Sequence, residues 1–198
     1  MKNILITGGT GLIGRHLSNR LRESGYNVSL LSRRPVNDAG FRVYKWDPDS
    51  GVIDPEAISV ADYIIHLAGA GPGDSRWTEK RKKEILDSRI KSTRLILDKL
   101  KETGKRPEAF ISASATGYYG SGTSERILAE TDDPGTDFTG EVCRRWEEAA
   151  GNIESLGIRT VILRTGIVLS KSSGALQRMA LPAKFKYPDL RSALGSLL

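Results

Sequence analysis

The chain has 198 residues, of which 38% are hydrophobic and 27% charged. That balance suits one domain with its own core and excludes a disordered or membrane-spanning class. Its formal net charge of +6 is local, because residues 76–106 hold twelve Lys/Arg against five Asp/Glu while the rest holds 18 basic and 19 acidic residues. The local excess reads as the solvated face of a helix. No aromatic interleaving or nucleic-acid motif accompanies it, so nucleic acid is not the expected partner. The one cysteine, Cys143, excludes an internal disulfide framework and fits a reducing compartment. No apolar run reaches the ~20 residues of a membrane span. A glycine-rich loop begins within ten residues of Met1 and leaves no room there for a signal peptide. A cytoplasmic protein with no membrane contact is the expectation.

"KNILITG" predicts a short buried strand through Ile4, Leu5 and Ile6. A helix follows over 11–24, with Leu12, Ile13, Leu17 and Leu21 on one face and Gly25 as its stop. "YNVSLLSRRP" is a second strand ending at Arg33-Arg34-Pro35, and "FRVYKW" a third, closed by "DPDSG". "ADYIIHLAGA" is a fourth that runs into a glycine-rich loop. The spacing then predicts a long helix over 78–101, with Ile85, Leu86, Ile90, Leu97 and Leu100 among its apolar positions. "EAFISASA" is a fifth strand, residues 121–137 are turn-rich and acidic, 141–156 form a helix, and "RTVILRTGIVLS" (159–170) is a sixth strand. Strands and helices alternate, and the strands are nearly continuous apolar runs. That pattern specifies an α/β fold, a doubly wound parallel sheet with its ligand crevice at the carboxyl ends of the strands.

Gly8-x-x-Gly11-x-x-Gly14 lies between the first strand and the first helix, the setting a dinucleotide fingerprint requires. Gly8 permits the tight turn, Gly11 lets backbone approach a pyrophosphate, and Gly14 allows close packing of helix and strand. The free N–H groups and dipole of the helix N-terminus face the phosphates. A carboxylate at the end of the second strand would hold ribose hydroxyls. Here the strand ends Ser32-Arg33-Arg34, and arginine matches a 2′-phosphate. The expected cofactor is therefore NADP(H). Asp47, after the third strand, is placed to meet the adenine.

The spacing of the three glycines, "HLAG" at 66–69 and "SASATGYYG" at 112–120 resemble the short-chain dehydrogenase/reductase superfamily, whose cofactor domain is the NAD(P)-binding Rossmann fold. Together with "RWTEKRKKEILDSRI", "DFTGEVCRRWEEAA" and "LRTGIVLS", they resemble its atypical extended branch, the SDR39U-type epimerase family. The resemblance runs from Met1 to about Pro182. It implies that Gly8, Thr10, Gly11, Leu12 and Ile13 form the pyrophosphate loop and that Ser32 and Arg33 hold the 2′-phosphate. Leu67, Ala68 and Gly69 would lie beside the adenine-side ribose and pyrophosphate, and Arg164, Thr165, Gly166 and Ile167 would pass the nicotinamide. Ser114 would be the catalytic hydroxyl that polarises a substrate oxygen. The implied activity is that of an oxidoreductase or epimerase on a small polar or nucleotide-sugar substrate. A homodimer, paired through the helices flanking the fifth strand, is implied on the same ground.

One departure bears on chemistry. The superfamily's acid/base is a Tyr followed four residues later by Lys, which lowers the tyrosine pKa and holds the nicotinamide ribose. Phe138 stands where that Tyr is expected, with Val142 four residues on; a shift by one gives Asp137 and Glu141. Tyr118 and Tyr119 have Gly122 and Thr123 at plus four. Three replacements follow: donation by Tyr118 or Tyr119, base action by Glu141, or no proton transfer at all. The last makes the chain a cofactor-binding sensor that turns nothing over. Cys143 reads as a buried small side chain, Trp146 as helix-to-sheet packing, and His66 as a strand end in a chain with too few histidines to suggest a metal site.

Epimerase-like relatives carry a substrate lobe after the sixth strand. "GALQRMALP" resembles the approach to that lobe, and "FKYPDLRSALGSLL" (185–198) the family's extreme C-terminus. The middle of the lobe is not present between them, whether truncated or unresolved. Residues 1–182 are thus expected to form the cofactor domain and 183–198 a remnant of the substrate lobe.

Overall fold

The computed structural model describes residues 1–34, 40–73, 75–122, 125–170 and 174–177. The chain divides into two compact units, Met1–Arg164 and Thr165–Leu198. The expected lobe remnant, 183–198, lies outside the described residues.

The first unit opens with β1 (Asn3–Thr7), α1 (Leu12–Glu23), β2 (Asn27–Ser32) and β3 (Arg42–Asp47). It continues with β4 (Val52–Ile53), α2 (Pro55–Ser59), β5 (Tyr63–His66) and α3 (Glu79–Thr103). β6 (Ala109–Ala115), a 3₁₀ turn (Thr116–Tyr119), α4 (Phe138–Gly151) and a second 3₁₀ turn (Asn152–Leu156) lead to β7 (Arg159–Thr165). The seven-stranded sheet has the order β4-β3-β2-β1-β5-β6-β7. β1 pairs in parallel with both β2 and β5, so the chain winds outward in two directions from it. That reversal opens a crevice outside the carboxyl ends of β1 and β5.

Side chains alternate across the sheet as a period of two demands. Leu5 joins Leu31, Ile64, Phe110 and the α3 residues Ile96 and Leu100 in one buried layer. Ile4 and Ile6 join Val28, Leu30 and Leu21 of α1 in the other. Both faces are therefore covered, and the doubly wound parallel architecture is the one the strand–helix alternation specifies.

Four elements differ from the expectation. β4 and α2 follow "DPDSG", in residues 52–59, where no element was expected. β4 is a two-residue antiparallel strand on β3, too short to show any periodicity. α2 is held by Pro55 at its first turn and by Asp54, whose side chain accepts from Glu56 N–H. The helix expected over 141–156 begins at Phe138, capped by Asp137, and gives way to 3₁₀ geometry at Asn152. The last strand ends at Thr165, five residues short of Ser170. Ile13, placed on the apolar face of α1, stands 43% exposed at the helix start.

Candidate cofactor and active site

Gly8 turns the chain out of β1 with φ near +70°, a left-handed value that glycine adopts without strain. The Gly11 N–H closes the turn on Gly8 O at 3.0 Å. A Cβ on Gly14 would lie 2.2 Å from Gly8 O and 2.6 Å from Gly9 Cα, so α1 rests directly on the loop. A Cβ on Gly8 would lie 2.9 Å from Leu67 C, so the loop in turn rests on the backbone after β5. Gly11 is the N-cap of α1 and brings no capping side chain, and the first turn holds no acid. The N–H groups there are left for a ligand. Thr10, Gly11 and Ile13 are exposed and Leu12 half-buried, at the rim of this cradle.

A cleft of about 360 Å³ opens beside the cradle, between the ends of β2, β3 and β5 and the start of α3. Arg33, Trp46, Ala68, Gly69, Ser88 and Lys91 are among its walls. Arg33 thus lies on the cleft that its position at the end of β2 implies. Ser32 is half-buried and takes the Arg34 N–H on its Oγ at 3.3 Å, while the Arg34 side chain is exposed and lines no part of the cleft. Asp47 lies near but outside the wall: its carboxylate accepts the Asp49 N–H at 3.1 Å and shapes the turn into β4. Its pKa is held below the usual range, first by Ser50 and then by the Asp49 N–H. Trp46, Pro48 and Asp49, not Asp47, face the cleft. Among the described residues no cluster of His, Cys, Asp and Glu could hold a metal ion. No helix among them is long and apolar enough to cross a membrane.

At the carboxyl end of β6, Ser114 is buried and donates to Glu147 Oε1 at 2.6 Å. Arg164, near the end of β7, grips the same carboxylate with two teeth: Nε to Oε1 at 2.9 Å and Nη2 to Oε2 at 2.8 Å. Its Nη1 donates to Tyr119 OH at 2.9 Å, and the guanidinium lies 3.4 Å from the Tyr118 ring centroid. Ser114, Tyr118, Tyr119 and Arg164, named separately from the sequence, are therefore one cluster organised by a residue the sequence reading passed over, Glu147. The only signal for Glu147 is its place one turn beyond Cys143. Thr165 ends β7, and Thr165, Gly166 and Ile167 open the second unit.

The register of α4 also becomes visible. Phe138 turns away from Ser114 and packs on Trp77, with ring centroids 5.1 Å apart. The pair that faces the end of β6 is Thr139 and Cys143: a Cβ on Gly117 would meet them at 3.4 and 3.8 Å. The Cys143 thiol lies against the Ala115 backbone and Ser114, and burial pushes its pKa up. Neither expected register, Phe138/Val142 nor Asp137/Glu141, looks at the reacting end. Glu141 is paired with Arg144 at 2.8 Å and Arg145 at 2.7 Å. The Arg144 hydrogen bond leads the causes that hold its carboxyl below the usual range, which weakens it as a base.

A crossover sheet with a glycine cradle, an uncapped helix N-terminus and a cleft at the strand-order reversal defines the class of nucleotide-cofactor-binding α/β domains. The model of the NAD dependent epimerase/dehydratase family matches residues 4–180, and the chain belongs to that family. It is 36% identical over 176 residues to an epimerase family protein of Mycobacterium leprae, covering 89% of this chain and 56% of that protein. The chain thus spans little more than half the length of this curated relative. Among solved structures, it resembles a nucleoside-diphosphate sugar epimerase from Corynebacterium glutamicum, with TM-score 0.77 and 33% identity over 95% of this chain and 39% of that one. It also resembles the human epimerase family protein SDR39U1, solved with NADPH, with TM-score 0.74 and 31% identity over 91% of this chain and 59% of that one.

Proposed function

We propose that this chain binds NADP(H) and serves as the cofactor half of an oxidoreductase or epimerase acting on a small polar substrate of the nucleotide-sugar class. The observation that carries the reading is the Gly8–Gly14 cradle resting on the Leu67–Ala68 backbone, beside a cleft walled by Ala68 and Arg33, with no carboxylate at the end of β2. The cradle fits a pyrophosphate, since Gly11 caps α1 without a side chain, the first turn holds no acid and the α1 dipole points into it. Arg33 supplies a fixed fork of donors suited to a 2′-phosphate. The NADPH in the human relative's structure supports the same choice.

When bound, the nicotinamide supplies hydride exchange with a carbon that bears oxygen. The residues at the β6 end supply proton handling. Tyr119 accepts from Arg164 through its oxygen, and its own proton has no acceptor among the described residues, so the phenol is set to donate. Negative charge developing on that oxygen meets a guanidinium already in place. Ser114 has one proton and gives it to Glu147. Polarising a substrate oxygen by donation therefore requires that its Oγ rotate.

A second reading, a cofactor-binding sensor without turnover, is favoured by a specific observation. Cys143 faces Ser114 where a lysine would complete the dyad, and Glu147 is committed to Arg164 through both oxygens. Single-turnover NADPH oxidation against a panel of carbonyl compounds separates the two. Oxidation lost in Tyr119→Phe supports the enzyme; tight binding without oxidation supports the sensor. Titration with NADPH and NADH tests the cofactor, and tighter NADH binding overturns the choice.

A further inference from the structure

Arginines in the first unit differ in what answers their charge. Arg164 has the Glu147 carboxylate, and Arg42, at the start of β3, places Nη2 2.8 Å from both oxygens of Glu56. Arg89, 9% exposed on α3, gives Nη1 to the carbonyls of Ala70 and Ile85 beneath the Gly69–Ala70 loop. Arg22, in the last turn of α1, pairs with no carboxylate among the described residues. It is nonetheless held in place. Its Nη2 donates to Asn19 Oδ1 at 3.2 Å, and its guanidinium lies 4.6 Å from the Phe41 ring centroid. Gly40 leaves it room, since a Cβ there would lie 1.8 Å from Arg22 Nη1. A seated guanidinium with Nη1 and Nε uncommitted is a fork of donors without an acceptor.

Arg22 lines a groove of about 480 Å³ together with Arg42, Tyr26, Ser29 and Tyr44. β1, β2 and β3 begin at this groove, so it lies at the amino edge of the sheet, a strand's length from the Gly8 cradle. Tyr44, on β3, is unsatisfied at the same place. It is 4% exposed, its ring lies 4.7 Å from the Arg42 guanidinium, and its hydroxyl has no hydrogen-bond partner among the described residues. Buried hydroxyls are ordinarily hydrogen-bonded. Because Tyr44 lines the groove, the acceptor for its proton has to come from there. Burial leads the causes that push its pKa up, so the phenol keeps its proton to give. Half-buried Ser29 and exposed Tyr26 add hydroxyls that likewise have no partner among the described residues. The described walls hold two arginines and no carboxylate.

We propose that this groove is a second ligand site, at the opposite edge of the sheet from the dinucleotide cradle, and that it takes a small phosphate monoester. Arg22 meets the charge, the Tyr44 and Ser29 hydroxyls donate to the phosphate oxygens, and the body of the ester lies along the groove. Three terminal oxygens can take these separate donors at once, where a carboxylate offers two. A groove of this size suits a small organic molecule better than a bare ion. Arg42, neutralised by Glu56, holds the Tyr44 ring in place. The groove shares no lining residue with the dinucleotide cleft, so the two readings stand or fall separately.

The test uses phenyl phosphate as the probe, titrated into the isotope-labelled full chain and followed by backbone amide shifts. Saturable shifts are expected at Ser29, Gly40 and Tyr44, and they persist in Arg33→Met, which removes a cation of the dinucleotide cleft. Tyr44→Phe, which keeps the ring and its packing, weakens this binding about tenfold, as one lost hydrogen bond to a charged acceptor should. Arg22→Met weakens it about tenfold or more for the same reason. In both variants any response at Gly11 and Gly69 is left as it was. Benzoate binds at the groove about tenfold more weakly than phenyl phosphate. Shifts confined to Gly8–Gly14 and Gly69 overturn the proposal, because the phosphate then goes to the cradle alone. Unchanged affinity in Tyr44→Phe overturns it, and so does a loss in that variant felt equally at Gly11 and Gly69, which belongs to a disturbed fold. Equal affinity for benzoate overturns the phosphate assignment. Should Arg22→Met fail to fold, Tyr44→Phe alone decides.

Discussion

Thr7 Oγ1 lies 2.7 Å from His66 Nδ1, and the direction of that hydrogen bond follows from its neighbours. Thr7 Oγ1 already accepts the N–H groups of Leu67 and Ala68, both at 3.1 Å, so its own proton goes to His66. His66 then carries its hydrogen on Nε2, facing Ser92 Oγ at 3.2 Å and Thr93 Oγ1 at 3.1 Å. Both hydroxyls donate to Arg89 O, at 3.0 and 2.8 Å. One chain of donors thus ties the cofactor-side loop, through β1 and β5, to the α3 turn that carries Arg89. The chain works only with a neutral imidazole.

Acid should therefore undo this link. Burial, with Arg89 as a lesser cause, pushes the His66 pKa down from 6.5 to about 3. Above pH 6.5 the ring is neutral folded and unfolded, and its contribution is flat. Below it the unfolded chain takes up a proton that the folded one refuses, so stability falls as pH drops toward 3. The slope is at most about 1.4 kcal/mol per pH unit. Urea unfolding at pH 7, 6, 5 and 4 reads it directly. His66→Gln should flatten this part of the profile; an equally steep loss in that variant removes His66 as the cause.

Gly14 and Gly151 make a matched pair. A Cβ on Gly14 meets loop backbone at 2.2 Å, and backbone cannot swing aside. Gly14→Ala should cost about 1–3 kcal/mol and weaken NADPH binding, because the displaced part is the cradle. Gly151, in the last turn of α4, has open space where its Cβ would go. Gly151→Ala should be neutral or stabilising by up to about 1 kcal/mol. Chemical denaturation and NADPH titration check both, and a Gly14→Ala chain that matches wild type in each would show that the loop does not rest on α1.

These residues mark what the sequence makes legible. The cradle is readable because turn, strand and helix are encoded in adjacent residues. The sheet order follows from alternating apolar runs. The α4 register is not readable in this way: one residue on a helix is about 100°, and only the position of the β6 end shows that Thr139 and Cys143, not Phe138 and Val142, face Ser114. Arg89 is hidden for a related reason. In a run of twelve basic residues between 76 and 106 it reads as one more solvated charge, and its burial depends on the Gly69–Ala70 loop some twenty residues away. Glu147 likewise gains its meaning from Arg164, on a different strand.

Asp137 anchors the start of α4 and should show it in stability. Its Oδ1 accepts from Gly140 N at 2.9 Å and Thr139 Oγ1 at 2.7 Å, and its Oδ2 accepts from Ser121 Oγ at 2.5 Å and Ser121 N at 2.8 Å. These bonds, the Ser121 hydroxyl first, hold its carboxyl far below the ordinary range. Asp137→Ala should cost about 1–2 kcal/mol, the usual loss for a helix cap. Asp137→Asn keeps an acceptor and should recover part of that. If both variants unfold at the wild-type urea midpoint, the cap is not contributing.

The Glu147–Arg164 pair decides whether the β6 end is a scaffold or a proton-handling site. Their side chains are 12% and 16% exposed, so removal of either partner strands a largely buried charge. Glu147→Gln should cost up to about 3–5 kcal/mol. Arg164→Met should cost a similar amount and also free the Tyr119 hydroxyl. The double variant should recover much of the loss, because neither charge is then left alone. A double variant as unstable as the two single losses added together would mean that the two residues act independently. Single-turnover NADPH oxidation in the double variant supplies the rest of the argument. Turnover that survives there needs no Arg164 at Tyr119, and the pair is then scaffold alone. Turnover that vanishes while NADPH affinity and the urea midpoint hold places the pair in the proton path.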